Sequence, residues 1–552
     1  MPTVTSRAVV SARGVAGCIA MFISLAVGNA SAEPLIQGPS SSATPYLRSY
    51  LDPQVSITSI LTVGDSINNK PDGSPYRMVG IPDGMGAFDN GNGTFTVLMN
   101  HELGPTQGIT RAHGSTGAFV SQWVIDKSSL QVLSGQDLVQ TVFTGGQNGV
   151  YTQATTQFAR LCSADLPAVS AFYNASTGLG YNGGRIFMSG EETGAEGRAF
   201  AHFASGALAG QSYELPYLGK FSWENSVART AASNKTVVIG TDDSTPGQVY
   251  VYVGNKQTLQ GTGAAGAVTG TDALRAAGLI GGNLFGITVP GVAAESRSTG
   301  VGAVKNGPGV AFSLANLGDV SGKTGAQLQT DSTAAGVTEF LRPEDGAWDT
   351  QNPDRFYFVT TDRFDTEARP GTAPTTNTPA SQSGRSRLWS MTFTFDGDGN
   401  PTGGTLDMLL DGTEGHQMLD NMTVDANGNV ILQEDPGGQA YSARIWMYDP
   451  LTKKMYELAS HDQDRFGNDL GQLPTAPYNN DEESSGVIDV TSILGGDGRS
   501  YYLVDVQAHY NISGELVQGG QLLLLAVDEP AGFGFTALAL ALGAVRLRRR
   551  RA

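Results

Sequence analysis

Cysteine is almost missing from this chain of 552 residues, which carries only Cys18 and Cys162. A disulfide-built scaffold is therefore excluded. Basic residues are scarce as well, 34 Lys and Arg against 52 Asp and Glu, for a formal net charge of −18. An acidic surface repels phosphate backbones instead of releasing their counterions, which argues against nucleic acid as a partner. Long apolar runs are lacking too, and none reaches the roughly 20 residues of an ordinary spanning helix. What the chain has is 73 glycines, 40% hydrophobic and 8% aromatic residues, with much Asn, Asp, Thr and Ser. That content excludes a disordered chain and reads as strands and turns, an all-β protein with enough length for one large core or several small ones.

The two ends read as addresses. Residues 1–32 carry Arg7 and Arg13, an apolar run from Val15 to Val27, and Ala30-Ser31-Ala32, the pattern of a secretory signal cleaved before Glu33. Residues 528–552 run Asp528-Glu529-Pro530, an apolar segment from Ala531 to Val545, then Arg546 and Arg548 to Arg551. A short apolar stretch with a basic stop places its end on the cytoplasmic side and gives the chain one membrane-embedded segment, a transmembrane helix. The order resembles the PEP-CTERM sorting signal, with Asp-Glu-Pro in place of Pro-Glu-Pro. It implies an exosortase-type processing enzyme as partner, export across the inner membrane, and a final place at the cell surface or in the extracellular matrix. Without these ends the body, residues 33–527, is more acidic still and keeps one cysteine, Cys162. A lone thiol in an oxidising compartment asks for a reason.

Within the body one unit recurs: an apolar strand, a turn rich in Gly, Asn and Asp, and a second apolar strand that stops at acidic or polar residues. The copies start at Met85, Ala168, Ser226, Gly346, Met422 and Val487, and end at Asn100-His101-Glu102, Glu191-Glu192, Asp242-Asp243, Thr361-Asp362-Arg363, Glu434-Asp435 and Asp505 to His509. Six such units predict a six-bladed β-propeller with long loop insertions, two sequential sandwiches being the alternative. The stretches Gly261–Gly278 and Pro370–Ser386 are expected to be surface insertions. A polar group also stands just upstream of each first strand: Asp83, Asp165, Glu224, Glu344, Asp420-Asn421 and Glu482 to Ser485. Acids gathered toward one axis repel each other unless cations bind them, and hard oxygen donors suit Ca²⁺. His101 and His509 end strands of the repeat, a place where histidine is more often structural than a ligand.

Several of these segments, in order, resemble the PhoX-type alkaline phosphatases and their secreted relatives. They are Asn100-His101-Glu102, Ser189-Gly190-Glu191-Glu192 (with Gly190 where the family has Cys), Gly219-Lys220-Phe221-Ser222-Trp223-Glu224 (with Trp223 in a His place), Thr241-Asp242-Asp243, Arg342-Pro343-Glu344, Asp420-Asn421 and Glu434-Asp435. The resemblance implies a propeller with a central site of calcium ions and an iron pair. On the matching positions it implies Cys162, Glu191, Glu192, Glu224, Asp242, Asp243, Glu344, Asp420, Glu434 and Asp435 as metal ligands, and Arg342 as the catalytic arginine that holds phosphate. The activity implied is hydrolysis of phosphate esters by a secreted metal-dependent phosphoesterase. The alternatives are a non-catalytic, calcium-stabilised surface or matrix propeller, and a phytase-like or lactonase-like propeller hydrolase. Membrane contact is expected only through the C-terminal segment.

Overall fold

A computed structural model describes residues 35–50, 54–295, 301, 305–361, 386–437, 441–468 and 470–528. Residues 1–32, expected to be a secretory signal, residues 529–552 of the expected sorting segment, Asp362, Arg363 and all but the last residue of Pro370–Ser386 lie outside them. No helix among the described residues is long and apolar enough to cross a membrane.

The strands arrange as six blades around one axis, antiparallel apart from the outer pairings Leu35–Gln37 with Val55–Thr62 and Thr141–Gly145 with Gln211–Glu214, so the sandwich alternative does not hold. The innermost strands are Pro82–Asp89, Leu161–Asp165, Trp223–Ala228, Pro343–Trp348, Leu419–Val424 and Glu482–Asp489, in blades one to six. Each contacts the next, and the sixth contacts the first. The ring closes with Val55–Thr62, from the N-terminal part of the chain, which pairs antiparallel with Gln518–Asp528 of the last blade. Blades three and four are joined at their outer edges, where Val310–Gly318 pairs with Pro401–Leu410.

Apolar side chains fill the spaces between neighbouring blades, and this explains why the second strands read as nearly unbroken apolar runs. In Thr94–His101, Phe95, Val97 and Met99 pack toward blade six with Leu503, Leu522 and Leu524. Leu98, pointing the other way, packs toward blade two with Phe187 and Phe200. A strand buried on both faces needs apolar residues at both phases of its alternation.

Two expectations are corrected. The inner strand of blade two is Leu161–Asp165, not a segment beginning at Ala168, which lies in a short turn and hairpin instead. The Gly261–Gly278 stretch is not merely a surface loop. It contains the helix Gly270–Ala276, capped reciprocally by Thr269 and Asp272, with Ala273 and Leu274 buried in the core between blades two and three.

Gly190 and Trp223, where the sequence differs from the motifs it resembles, are in contact. A Cβ on Gly190 would meet Trp223 Cβ at 2.3 Å and its Cγ at 2.6 Å, so the base of that side chain occupies the space a side chain at 190 would need. Gly190→Ala is expected to lower stability by about 1–3 kcal/mol, read from the denaturation midpoint.

Candidate metal centre

Every inner strand carries an irregularity of register at the same place. Pairing slips by one residue between Pro82 and Met85, Leu161 and Ala164, Trp223 and Ser226, Pro343 and Gly346, Leu419 and Met422, and Ser484 and Val487. A β-bulge leaves two residues facing one and re-aims the side chains at that point. The first residues of the bulges are Asp83, Cys162, Glu224, Glu344, Asp420 and Ser485; the second are Gly84, Ser163, Asn225, Asp345, Asn421 and Gly486. In blade two the place expected for Asp165 is thus taken by Cys162. Asp165 lies three residues on and accepts a bond from Ala228 N instead.

A second set comes from the ends of the second strands. Glu102, Glu192, Asp243, Thr361 and Asp435 each donate a backbone N–H, at 2.8–3.0 Å, to the carbonyl of the residue that leads into or just precedes their blade's inner strand: Ile81, Arg160, Ser222, Arg342 and Met418. Ile81, Arg160, Arg342 and Met418 all have positive φ, between 42° and 56°. For side chains of this size that is a strained conformation, concentrated at the entry to the centre.

These sets meet around the axis. Ligand-type atoms of Asp83, Glu102 and Cys162, of Cys162, Glu192 and Glu224, and of Glu224, Glu344 and Asp420 form three groups, with the atoms of each group within 4.8 Å of one another. Cys162 joins the first group to the second, and Glu224 the second to the third. Asp243 and Asp435 stand beside them, Asp243 against Arg342 and Asp435 close enough to feel Glu483.

Strand alternation sends the preceding residue of each pair away from the axis. Glu191 is bound at both oxygens by Arg198, at 2.7 Å each. Asp242 accepts from Ser244 Oγ at 2.9 Å. Glu434 accepts from Gln417 N at 2.7 Å and Trp446 Nε1 at 2.8 Å. His101 stacks on Phe119 and bonds to Ser121 Oγ at 2.9 Å, held neutral by burial. These carboxylates tie blade segments together and stand outside the three groups.

Burial pushes the protonation of the centre upward. It raises Asp83, Glu192, Glu344 and Asp420 well above the carboxylate range, with neighbouring acids adding to the effect for all four. Glu224 rises to about 8 through burial and then Asp243, and Asp435 to about 7 through burial and then Glu483. Burial, then Asp83 and Glu224, likewise lift the Cys162 thiol. Asp243 goes the other way: burial opposes its charge, but Arg342 outweighs burial. Acids so held keep a proton or take a cation. The donor set, oxygens with one sulfur, fits cations. So does the buried amide oxygen Gln507 Oε1, which has no hydrogen-bond partner among the described residues.

Two arginines sit at equivalent places in blades two and four. Arg342 binds Asp243 through Nε at 2.6 Å and Nη2 at 3.0 Å, and Glu344 through Nη2 at 3.0 Å. Arg160, which the sequence reading missed, pairs with Glu102 at 2.6 Å and with Glu192, and half of its side chain is exposed. Its signal was available: like Arg342 it stands immediately before an inner strand. Beside Arg160 and Glu102 a cavity of about 530 Å³ opens, lined also by Thr106, Gln107 and His509. Burial opposes a charge on His509, yet Glu483 beside it raises its pKa to about 10.

No curated protein matches the chain in sequence. Among solved structures it is similar to Pseudomonas fluorescens PhoX in complex with vanadate, at 11% identity and a TM-score of 0.51, over 90% of this chain and 97% of that one. The periplasmic gluconolactonase of Pseudomonas aeruginosa is more distant, at 11% identity and a TM-score of 0.33, over 85% of this chain and 94% of that one. Residues 210–470, which include Glu224, Asp243, Arg342, Glu344, Asp420 and Asp435, match the family described as Alkaline phosphatase PhoX.

Proposed function

We propose that this protein is a metal-dependent phosphoesterase of the alkaline phosphatase kind. The observation that carries the reading is three linked ligand groups on one propeller axis with an arginine on each of two sides, and the family match over residues 210–470 supports it. The all-oxygen group of Glu224, Glu344 and Asp420 suits Ca²⁺, and the groups that include Cys162 suit iron. Bound cations would polarise phosphoryl oxygens and lower the pKa of a water.

The chain supplies the rest. Arg342 is clamped by Asp243 and Glu344, so its guanidinium is held in one orientation before substrate arrives, a preorganised positive charge for a phosphate group. Arg160 bridges Glu102 and Glu192 and offers its exposed half toward the cavity. That cavity gives room for the alcohol part of an ester, and it holds the imidazolium of His509. In a chain this acidic, positive charge at the site is what makes an anionic ester welcome. Export by residues 1–32 and surface sorting through residues 528–552 by an exosortase-type enzyme belong to the same proposal.

The test is elemental analysis of the purified protein, with hydrolysis of p-nitrophenyl phosphate before and after chelation. Turnover is expected to vanish with chelator and to return with Ca²⁺ and iron. No turnover of any phosphomonoester with both metals supplied sinks the enzymatic reading. Bound Ca²⁺ without turnover instead supports the non-catalytic calcium-stabilised matrix propeller.

A further inference from the structure

Beside the ligand groups, side chains of the second bulge position link blades to one another. Asn421 of blade five is 1% exposed and reaches two other blades. Its Nδ2 donates to Asp83 Oδ1 of blade one at 3.1 Å and to Ser163 Oγ of blade two at 2.6 Å. Ser163 Oγ in turn donates to Glu224 Oε1 of blade three at 2.6 Å. One amide therefore fixes an oxygen on each of two carboxylates, one of them directly and the other through a hydroxyl. Those carboxylates come from the first group and from the two groups that share Glu224.

The chemistry of the donors matters. A lysine or arginine here would neutralise Asp83 and Glu224 and compete with a cation for them. An amide and a hydroxyl orient the carboxylates and leave their charge available. The blade-one side of the ring is kept close by glycine: a Cβ on Gly84 would meet Ala164 N at 2.2 Å, and one on Gly486 would meet Asp83 O at 2.7 Å. Gln507 completes the hold on Asp83, donating from Nε2 to its Oδ2 at 3.2 Å.

We propose that Asn421, acting on Asp83 directly and on Glu224 through Ser163, is a positioning residue that sets the cation affinity of the centre without touching substrate. The proposal rests on the metal-dependent reading above. Its test is titration of the chelator-treated protein with Ca²⁺ in a calorimeter, for the wild type, Asn421→Leu, Ser163→Ala and the double variant. Each single variant is expected to bind Ca²⁺ about tenfold more weakly, the double variant losing less than the product of the two. The Ca²⁺-induced rise in melting temperature should shrink more than the melting temperature in chelator falls, a split that a merely structural role would not produce. Should Asn421→Leu fail to fold, Ser163→Ala carries the test alone. Wild-type affinity in both single variants, or fully multiplicative losses, overturns the positioning role only. A wild-type protein that binds no Ca²⁺ overturns the metal reading and this one with it.

Discussion

Glu224→Gln abolishes cation binding and phosphomonoester turnover together, the latter by roughly 1,000-fold or more in kcat/KM. Glu224 belongs to two of the three ligand groups, so its loss disconnects the Cys162 group from the all-oxygen group of Glu344 and Asp420. The amide keeps the shape of the side chain and still accepts from Ser163 Oγ, which limits the change to charge and donor power. The check is metal content by elemental analysis beside the rate with p-nitrophenyl phosphate. Glu434→Gln is the control: that carboxylate serves Gln417, Tyr441 and Trp446, so the variant is expected to lose stability and keep its metal. Equal metal content in Glu224→Gln and the wild type would refute the centre as drawn.

Arg342→Ala lowers kcat by about 100- to 1,000-fold, the scale of losing one preorganised group that meets developing charge. Arg342→Lys does not restore the rate, because a single ammonium cannot reproduce the planar fork that Asp243 and Glu344 hold in place. Removing Arg342 also leaves Asp243 without the charge that depresses its pKa, so metal content is measured in parallel to separate lost catalysis from lost cations. Arg160→Ala, at the more exposed equivalent place, is expected to act more through KM. Full activity in Arg342→Ala with normal metal content would remove the arginine from the reaction.

Much of the fold was readable because blades are local. Each strand–turn–strand unit is a contiguous run, and burial on both faces writes itself as continuous apolar sequence in Phe95 to Met99 or Val237 to Ile239. Blade two is the exception. There the inner strand is short, and a hairpin and turn separate it from its partner, Ile186–Glu191, so the apolar signal near Ala168 misled. The acids were legible as a set for the same reason, since they end strands in every copy. Their individual roles were not. Glu191 and Glu192, Asp242 and Asp243, or Glu434 and Asp435 look alike in a sequence, yet alternation sends one to the blade and the other to the axis.

Composition and the repeat pointed to an acidic all-β chain, a six-bladed propeller with two sandwiches as the alternative, with recurrent carboxylates at strand ends. Which of these carboxylates meet is set by the folded ring. The bulge in every inner strand turns Cys162 to the axis and leaves Asp165 on Ala228. Ring closure brings Asp83 within reach of Asn421, 338 positions away. It also sets Arg160 and Arg342 at two sides of one centre. Strand order follows from nearest-neighbour patterning, whereas an axial site gathers residues from blades far apart in the sequence and exists only once the ring has closed.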